Sequence, residues 1–213
     1  MGRFRQHVNP LKASFFERSA GPLALPAGKE IEVELGCADA QFLFERAEKL
    51  PDRVYVGLEI REDLALEVNR RARRLGAPVH VVFAHANLDF SALFPAGTVA
   101  RIFVNFPDPW FKRRHRKRRV VDAPLAAAMA EALAPGGELF FQSDVWDLAL
   151  DALAVLEAEK RLDNRAGPWS FWKRGNPYGV KSRREAGCEE DAEPIWRLLY
   201  NVTAAPAPGS GAP

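Results

Sequence analysis

The feature that most constrains the fold is a regular alternation of short apolar segments with longer amphipathic ones, which begins at Glu30. Strands that alternate with helices of about ten to fifteen residues are typical of βαβ units, which build a parallel sheet covered by helices on both faces. We therefore predict a doubly wound, Rossmann-like α/β sheet. The predicted strands are 31–35, 54–58, 79–84, 99–106, 138–142 and 195–202, and the predicted helices are 40–50, 61–75, 123–133 and 145–160.

The alternation occupies one stretch of chain, so a single domain is predicted for residues 30–203. Residues 1–29 contain Pro10, Pro22 and Pro26, which interrupt any long element, and this segment is expected to be irregular. Residues 204–213 consist only of Ala, Pro, Gly and Ser. A segment of that composition cannot bury enough apolar surface to fold, so it is expected to be a disordered tail.

Charge is concentrated in one place. Lys and Arg number 30 against 28 Asp and Glu, yet seven of the 30 lie in the eight positions Lys112–Arg119. Without those seven, 23 basic residues face 28 acidic ones, which leaves an acidic body with one positive patch. A polyanionic partner is expected, although a bare basic run is equally typical of a solvated helix face or a localisation signal.

Other function classes are disfavoured. Cys37 and Cys188 are too few for a disulfide framework, and no spacing suggests zinc, so no metal is expected. There is no run of eighteen apolar residues, and the N-terminus lacks the apolar stretch of a signal peptide. We expect a soluble cytoplasmic protein with no membrane partner, as a monomer or a weak homodimer.

Three acidic residues mark the ends of predicted strands, where open parallel sheets bind their ligands. Glu34, Glu59 and Asp108 end or follow the first, second and fourth strands. Glu59 lies about 20 residues after the first strand-to-helix turn, the position from which a carboxylate accepts ribose hydroxyls in nucleotide-binding folds. A single acid at a strand end is often only solvated, but three in register favour a cofactor site.

The first strand-to-helix turn, residues 34–40, indicates which cofactor the site can accept. Gly36 permits a tight turn, but Ala38 and Ala40 occupy positions where glycine would let a ligand approach the backbone. A pyrophosphate needs bare backbone N–H groups, so the turn disfavours NAD and a dehydrogenase. S-adenosylmethionine, which carries no phosphates, tolerates the two methyl groups better.

The segment 105–111, Asn-Phe-Pro-Asp-Pro-Trp-Phe, leads directly into the basic run. Prolines on both sides of Asp108 favour an extended backbone and present its carboxylate rigidly. Trp110 and Phe111 add planar surfaces on which bases can stack. This adjacency favours a substrate-binding role for the basic run.

Residues 107–119 closely resemble the signature of the bacterial tRNA (guanine-N7)-methyltransferases, and the similarity extends from Glu30 to Val202. The resemblance implies a class I methyltransferase sheet, mostly parallel with an antiparallel C-terminal strand. It also implies methyl transfer from S-adenosylmethionine to N7 of a guanine in the tRNA variable loop. Alternatives are a non-catalytic RNA-binding protein on a decayed methyltransferase fold and, more weakly, a small-molecule methyltransferase.

The resemblance assigns residues by position. The expected cofactor contacts are Glu34, Gly36, Glu59, Asn87 and Asp108, of which Asp108 is also expected to be catalytic. The expected substrate contacts are Lys112, Asp144, Ser182 and Glu185. The expected RNA contacts are Arg113, Arg114, His115, Arg116, Lys117, Arg118 and Arg119. The adenine neighbour falls by count on His85–Ala86, but Asn87 has the suitable chemistry and is preferred.

Overall fold

The computed structural model describes residues 21–203, apart from the side chains of Arg113 and Lys117. Residues 21–29 contain no helix or strand, as predicted for them, while the rest of the predicted irregular segment and the predicted tail lie outside the described residues. Within the described range, no helix combines the length and apolar character needed to cross a bilayer.

Seven strands form one sheet in the order β3-β2-β1-β4-β5-β7-β6; the pairs among β1 to β5 are parallel, and β7 runs antiparallel to both β5 and β6. This confirms the predicted fold class. The strands are β1 Ile31–Leu35, β2 Val54–Glu59, β3 Val79–Phe83, β4 Val99–Asn105, β5 Leu133–Ser143, β6 Leu162–Asn164 and β7 Trp196–Val202. The helices are α1 Gln41–Lys49, α2 Glu62–Leu75, α3 Ala86–Leu93, α4 Ala123–Ala132, α5 Trp146–Ala158 and α6 Arg183–Glu190, with a short 3-10 helix at Arg113–Arg118.

Each face of the sheet has its own core, because side chains alternate along a strand. In β1, Ile31, Val33 and Leu35 pack in the cluster that contains the buried residues of α3, α4 and α5. The opposite face carries Glu32 and Glu34, both buried, beside the aromatic cluster that includes α1. A buried carboxylate is unfavourable unless neighbouring groups compensate for its burial. The surroundings of Glu34 are described with the candidate site below.

Four elements escaped the sequence analysis, namely α3, α6, β6 and the 3-10 helix at Arg113–Arg118. Helices α3 and α6 have only eight residues each, which is shorter than the window in which a helical period stands out in a sequence. Strand β6 has only three residues. The fifth strand also begins five residues earlier than predicted, because Leu133 pairs with Val99 before the irregular Pro135–Gly137 stretch.

Candidate active site

The first turn and the second strand meet at the carboxyl edge of the sheet. Gly36 has φ +71° and directs its N–H, together with that of Cys37, to the Leu58 carbonyl at 2.8 and 3.2 Å. The Ala38 N–H then donates to Glu59 Oε2 at 3.0 Å. The strand register places Glu34 opposite Gly57, so the carboxylates of Glu34 and Glu59 lie on adjacent strands.

The two alanines of this turn adopt the conformation of glycines. Ala38 and Ala40 have φ +50° and +54°, in the left-handed region that costs an L-residue about 1–2 kcal/mol. The backbone path of a glycine loop is therefore kept although alanine occupies both positions. Strain of this kind persists where the surrounding structure fixes the backbone, and it is common at binding sites.

Gly57 in β2 makes the close approach of the turn possible. A Cβ atom at this position would lie 2.3 Å from Cys37 Sγ and 2.9 Å from Cys37 Cβ. A glycine inside a strand often marks a place where another backbone segment approaches closely. A glycine inside a predicted strand can be recognised in the sequence, and here it marks the place on β2 against which the first turn packs.

Glu34 is buried with only half of its carboxylate satisfied. Oε1 accepts a hydrogen bond from Asn105 Nδ2 at 2.8 Å, while Oε2 has no hydrogen-bond partner among the described residues. Burial raises the pKa of Glu34 to about 8; the Asn105 hydrogen bond opposes this rise, and the nearby Asp39 and Glu59 charges add to it. A carboxyl group that is neutral near pH 7 thus faces the candidate cofactor site.

Glu59 is equally buried but fully engaged. Oε1 accepts hydrogen bonds from the backbone N–H of Arg61 at 3.0 Å and from its Nε at 2.8 Å, and Oε2 accepts from Arg61 Nη2 at 3.0 Å in addition to Ala38. The hydrogen bond to Glu59 raises the pKa of the Arg61 guanidinium, and burial opposes that rise. A ribose bound by Glu59 would therefore share the carboxylate with Arg61.

Asp108 lies between two bends of the chain. Phe106 and Trp110 both have φ +47°, an uncommon conformation for bulky residues, and the Phe106 N–H donates to the Gln142 carbonyl at 2.8 Å. The half-buried Asp108 is close enough to Arg61 for its charge to raise the pKa of that guanidinium. Asp108 and the Glu59–Arg61 pair therefore belong to one site.

The basic run forms an exposed turn beside Trp110. Its 3-10 helix follows Lys112, and the Arg118 guanidinium lies 5.1 Å from the centre of the Trp110 ring. The His115 ring contacts the same tryptophan edge-on at 5.7 Å, and its pKa is lowered by slight desolvation and by the neighbouring Arg118, Arg114 and Lys112 charges. Together these residues form a cationic surface in which Arg118 and His115 contact the Trp110 ring.

Arg119 corrects the sequence analysis. It is only 7% exposed, and its guanidinium donates to the carbonyl oxygens of Pro109 and Asp147, both at 3.1 Å, and pairs with Asp151. The expected RNA contact is therefore wrong for this residue, because its charge is used inside the protein. Arg119 instead fastens the Asp108 segment to α5.

A network of hydrogen bonds, which we call the polar relay, connects Glu34 on β1 with Glu185 on α6. The sequence analysis did not identify it. Asn105, which binds Glu34, accepts from Gln142 Nε2 at 3.0 Å, and the same nitrogen donates to Glu185 Oε2 at 2.9 Å. Arg197 Nη2 donates to Glu185 Oε1 at 2.8 Å, and Asn176 Nδ2 donates to Oε2 at 2.8 Å. The relay joins β1, β4, β5, β7 and α6 through polar groups.

Ser182 and Glu185, both expected at the substrate, begin helix α6. Ser182 Oγ accepts the Glu185 N–H at 3.2 Å, an N-cap that the Ser-x-x-Glu pattern could have revealed. Glu185 is fully buried, and both of its oxygens accept hydrogen bonds in the relay. Glu185 is thus engaged within the protein in this structure, and its expected contact with the substrate, like that of Ser182, stays a prediction.

The remaining expected contacts lie around the same edge. Asp144 follows β5 and accepts from Arg184 Nε at 3.1 Å, while Arg184 Nη2 also donates to Glu193 at 3.1 Å. Asn87 stands in the first turn of α3 and donates to the Val120 carbonyl at 2.8 Å, which ties α3 to the segment after the basic run. The structure thus brings the acids, the turn and the cations to one edge of the sheet.

Comparison with known proteins places this arrangement among methyltransferases. A family model described as "Putative methyltransferase" matches residues 29–198. A tRNA (guanine-N(7)-)-methyltransferase of Synechocystis sp. is 37% identical over 210 residues, which cover 94% of this chain and 98% of the relative. The protein of the same name from Parasynechococcus marenigrum is 39% identical over 219 residues, covering 96% and 90%.

Solved structures share the fold at low sequence identity. The antibiotic-resistance methyltransferase Kmr aligns with a TM-score of 0.57 at 18% identity, covering 84% of this chain and 90% of that one. The 16S rRNA methyltransferase KamB aligns with a TM-score of 0.56 at 15% identity, covering 82% and 88%.

Proposed function

The chain belongs to the tRNA (guanine-N7)-methyltransferase family, and from this premise we propose that it transfers a methyl group from S-adenosylmethionine to N7 of a guanine in the tRNA variable loop. The observation that carries the proposal is the continuity of segment 105–119. That segment joins Asp108, placed beside the Glu59–Arg61 pair, to an exposed cationic turn.

The residues at the carboxyl edge fit S-adenosylmethionine. Glu34 offers a buried carboxyl oxygen with no partner among the described residues, and the turn at Gly36 keeps a glycine-like path. Glu34, Gly36, Glu59, Asn87 and Asp108 would hold the cofactor. When bound, it supplies an electrophilic methyl group on a sulfonium sulfur.

The reaction needs little general acid–base catalysis from the protein. N7 of guanine carries an in-plane lone pair, so the attacking atom needs no strong base. Catalysis then depends on holding the guanine in line with the methyl group, and orientation of this kind can supply about 7–11 kcal/mol. The bends at Phe106 and Trp110, together with Arg119, fix the position of Asp108 for that purpose.

Guanine can be selected through its N1–H and 2-amino donors, which a carboxylate accepts together. Asp144 is the preferred acceptor because Asp108 is assigned to the cofactor side; Arg184 Nε donates to Oδ2 of the Asp144 carboxylate. Lys112 stands at the entrance to the cationic turn and is proposed as a substrate contact. The base must leave its stack to be read in this way, at a cost of a few kcal/mol.

The exposed cations of the basic run are proposed to contact phosphates. They are Arg114, Arg116 and Arg118, with His115 among them, and Arg113 and Lys117 are proposed to contribute from the same turn. Arg116 also lies 3.4 Å from Asp147, a surface pair of small energetic value that phosphate can replace. Such contacts supply affinity and position, while base contacts supply specificity.

Two further proposals concern context. We infer that the protein works in the cytoplasm as a monomer or a weak homodimer, and without a metal. In the described part of the chain, Asp144, Cys188 and Glu193 lie close enough to share a cation, but Arg184 already pairs with both carboxylates.

The decisive experiment is mass-spectrometric mapping of tRNA after incubation with the protein and labelled S-adenosylmethionine. We expect 7-methylguanine at one variable-loop position with the unaltered protein and with Asp163→Asn, an exposed control on β6. Asp108→Asn should abolish it. Full binding of tRNA and cofactor without methylation would instead support the non-catalytic alternative.

A further inference from the structure

A groove at the carboxyl edge of the sheet takes no part in the chemistry described above. It lies between residues 169–173 and residues 195–197 and has a volume of about 520 Å³. We call it the aromatic groove. Its walls include Trp169, Phe171 and Trp196, and Lys173 lies beside them.

Flat apolar surfaces dominate this region. The ring centres of Trp146 and Trp196 are 4.3 Å apart, and Phe171 lies 5.4 Å from each of them. Trp146 nevertheless remains 44% exposed and Trp169 65% exposed. Large aromatic surfaces left in contact with water at one place usually mark a binding site.

The aromatic groove is continuous with the proposed RNA surface. Trp196 begins β7 and pairs with Ser143 at the end of β5, two strands away from the end of β4 and the Asp108 segment. At about 4.8 Å per strand, the separation is about 10 Å. Trp146 also precedes Asp147, to which both Arg116 and Arg119 of the basic run are bound.

Charge around the groove favours a polyanion over a second copy of the chain. Lys173, in one wall, and the adjacent Arg174 are exposed, whereas Arg197 in the other wall is paired with Glu185 and leaves these two cations to act. A symmetric dimer formed through this face would bring the two sets of cations together, which opposes association. A nucleotide satisfies both features, since its base stacks on aromatic rings and its phosphate attracts lysine and arginine.

We propose that the aromatic groove binds a second, non-target base of the same tRNA while the guanine occupies the active site. This inference rests on the proposed function. RNA is read mainly at loops whose bases can be splayed out and stacked on aromatic side chains. Binding a second base would hold the loop open and keep the target guanine from restacking.

The test compares tRNA binding of Trp169→Ala and Trp146→Ala with that of Leu66→Ala, an exposed apolar control on α2. Loss of one stacking contact should weaken binding about 5- to 150-fold. The dependence of binding on salt should not change, because no phosphate contact is removed, and calorimetry should give unaltered cofactor affinity. Trp146→Phe, which keeps a ring in the cluster, should recover most of the affinity.

The second arm uses tRNAs with single abasic sites near the methylated guanine. One abasic site should weaken binding to the unaltered protein as much as Trp169→Ala does, and it should cost the variant nothing further. If both tryptophan variants bind tRNA as Leu66→Ala does, or if they dissociate a dimer seen by sedimentation, the inference is overturned. A protein that neither binds nor methylates tRNA would overturn the proposed function itself.

Discussion

Replacing Glu34 by Gln should change how the stability of the protein depends on pH. In the folded protein, burial raises the pKa of this carboxyl from its ordinary value of 4.5 to about 8. The folded state therefore binds one more proton than the unfolded state between these pH values. By linkage, the free energy of unfolding is unaffected by this group below about pH 4.5 and falls as the pH rises toward 8.

The size of the effect follows from the pKa. Each pH unit across the interval is worth about 1.36 kcal/mol, so ionising Glu34 costs the folded state about 5 kcal/mol in total and about 4 kcal/mol between pH 5 and pH 9. Gln has a similar shape and can still accept the hydrogen bond from Asn105. Glu34→Gln should lack this loss of stability. Its free energy of unfolding should therefore rise relative to that of the unaltered protein as the pH rises.

The assay is urea unfolding at several pH values from 5 to 9, with Glu48→Gln, an exposed carboxylate on α1, as the matched control. A difference in the free energy of unfolding between Glu34→Gln and the unaltered protein that is the same at every pH reflects packing only. The part of that difference that changes with pH reports the ionisation of Glu34. Parallel stability curves for Glu34→Gln and the unaltered protein would refute the argument that Glu34 is desolvated.

Three further predictions concern the neighbouring residues. Glu59→Gln should weaken cofactor binding by roughly 1.5–3 kcal/mol in calorimetry and leave tRNA binding unchanged, because it weakens a charged hydrogen-bond acceptor at the proposed ribose position, which is not part of the basic run. Gly57→Ala should lower the free energy of unfolding by about 1–3 kcal/mol through its clash with Cys37, and adding Cys37→Ala should restore part of the loss in denaturant titrations. Arg119→Ala should lower the melting temperature with little effect on the salt dependence of tRNA binding, whereas Arg114→Ala should leave the melting temperature unchanged and reduce the salt slope by about 0.7–0.9.

The strands and the edge that holds the site could be predicted from the sequence because both follow from short-range patterns. Apolar runs interrupted by Gly or Pro define β1 to β4 to within one or two residues. Once the sheet is parallel, Glu34, Glu59 and Asp108 must share its carboxyl edge, whatever the details of packing.

The partners of each polar side chain could not be predicted, because they come from residues distant in sequence. Glu185 is 43 positions from Gln142, to which it is hydrogen bonded, and Glu59 accepts the N–H of Ala38, which is 21 positions away. The basic run is uniform in sequence, but Arg119 alone among its described side chains turns inward to meet α5. That distinction depends on where α5 packs.

The position of β7 has a consequence for biosynthesis. This strand is the last one in the described chain to leave the ribosome, yet it lies inside the sheet between β5 and β6, and its Arg197 binds the Glu185 carboxylate. A nascent chain that ends before Trp196 therefore lacks the strand that joins β5 to β6 and one end of the polar relay. Until synthesis has passed Val202, the side of β5 that pairs with β7 stays an open sheet edge, so we expect a chain truncated before Trp196 to be prone to aggregation.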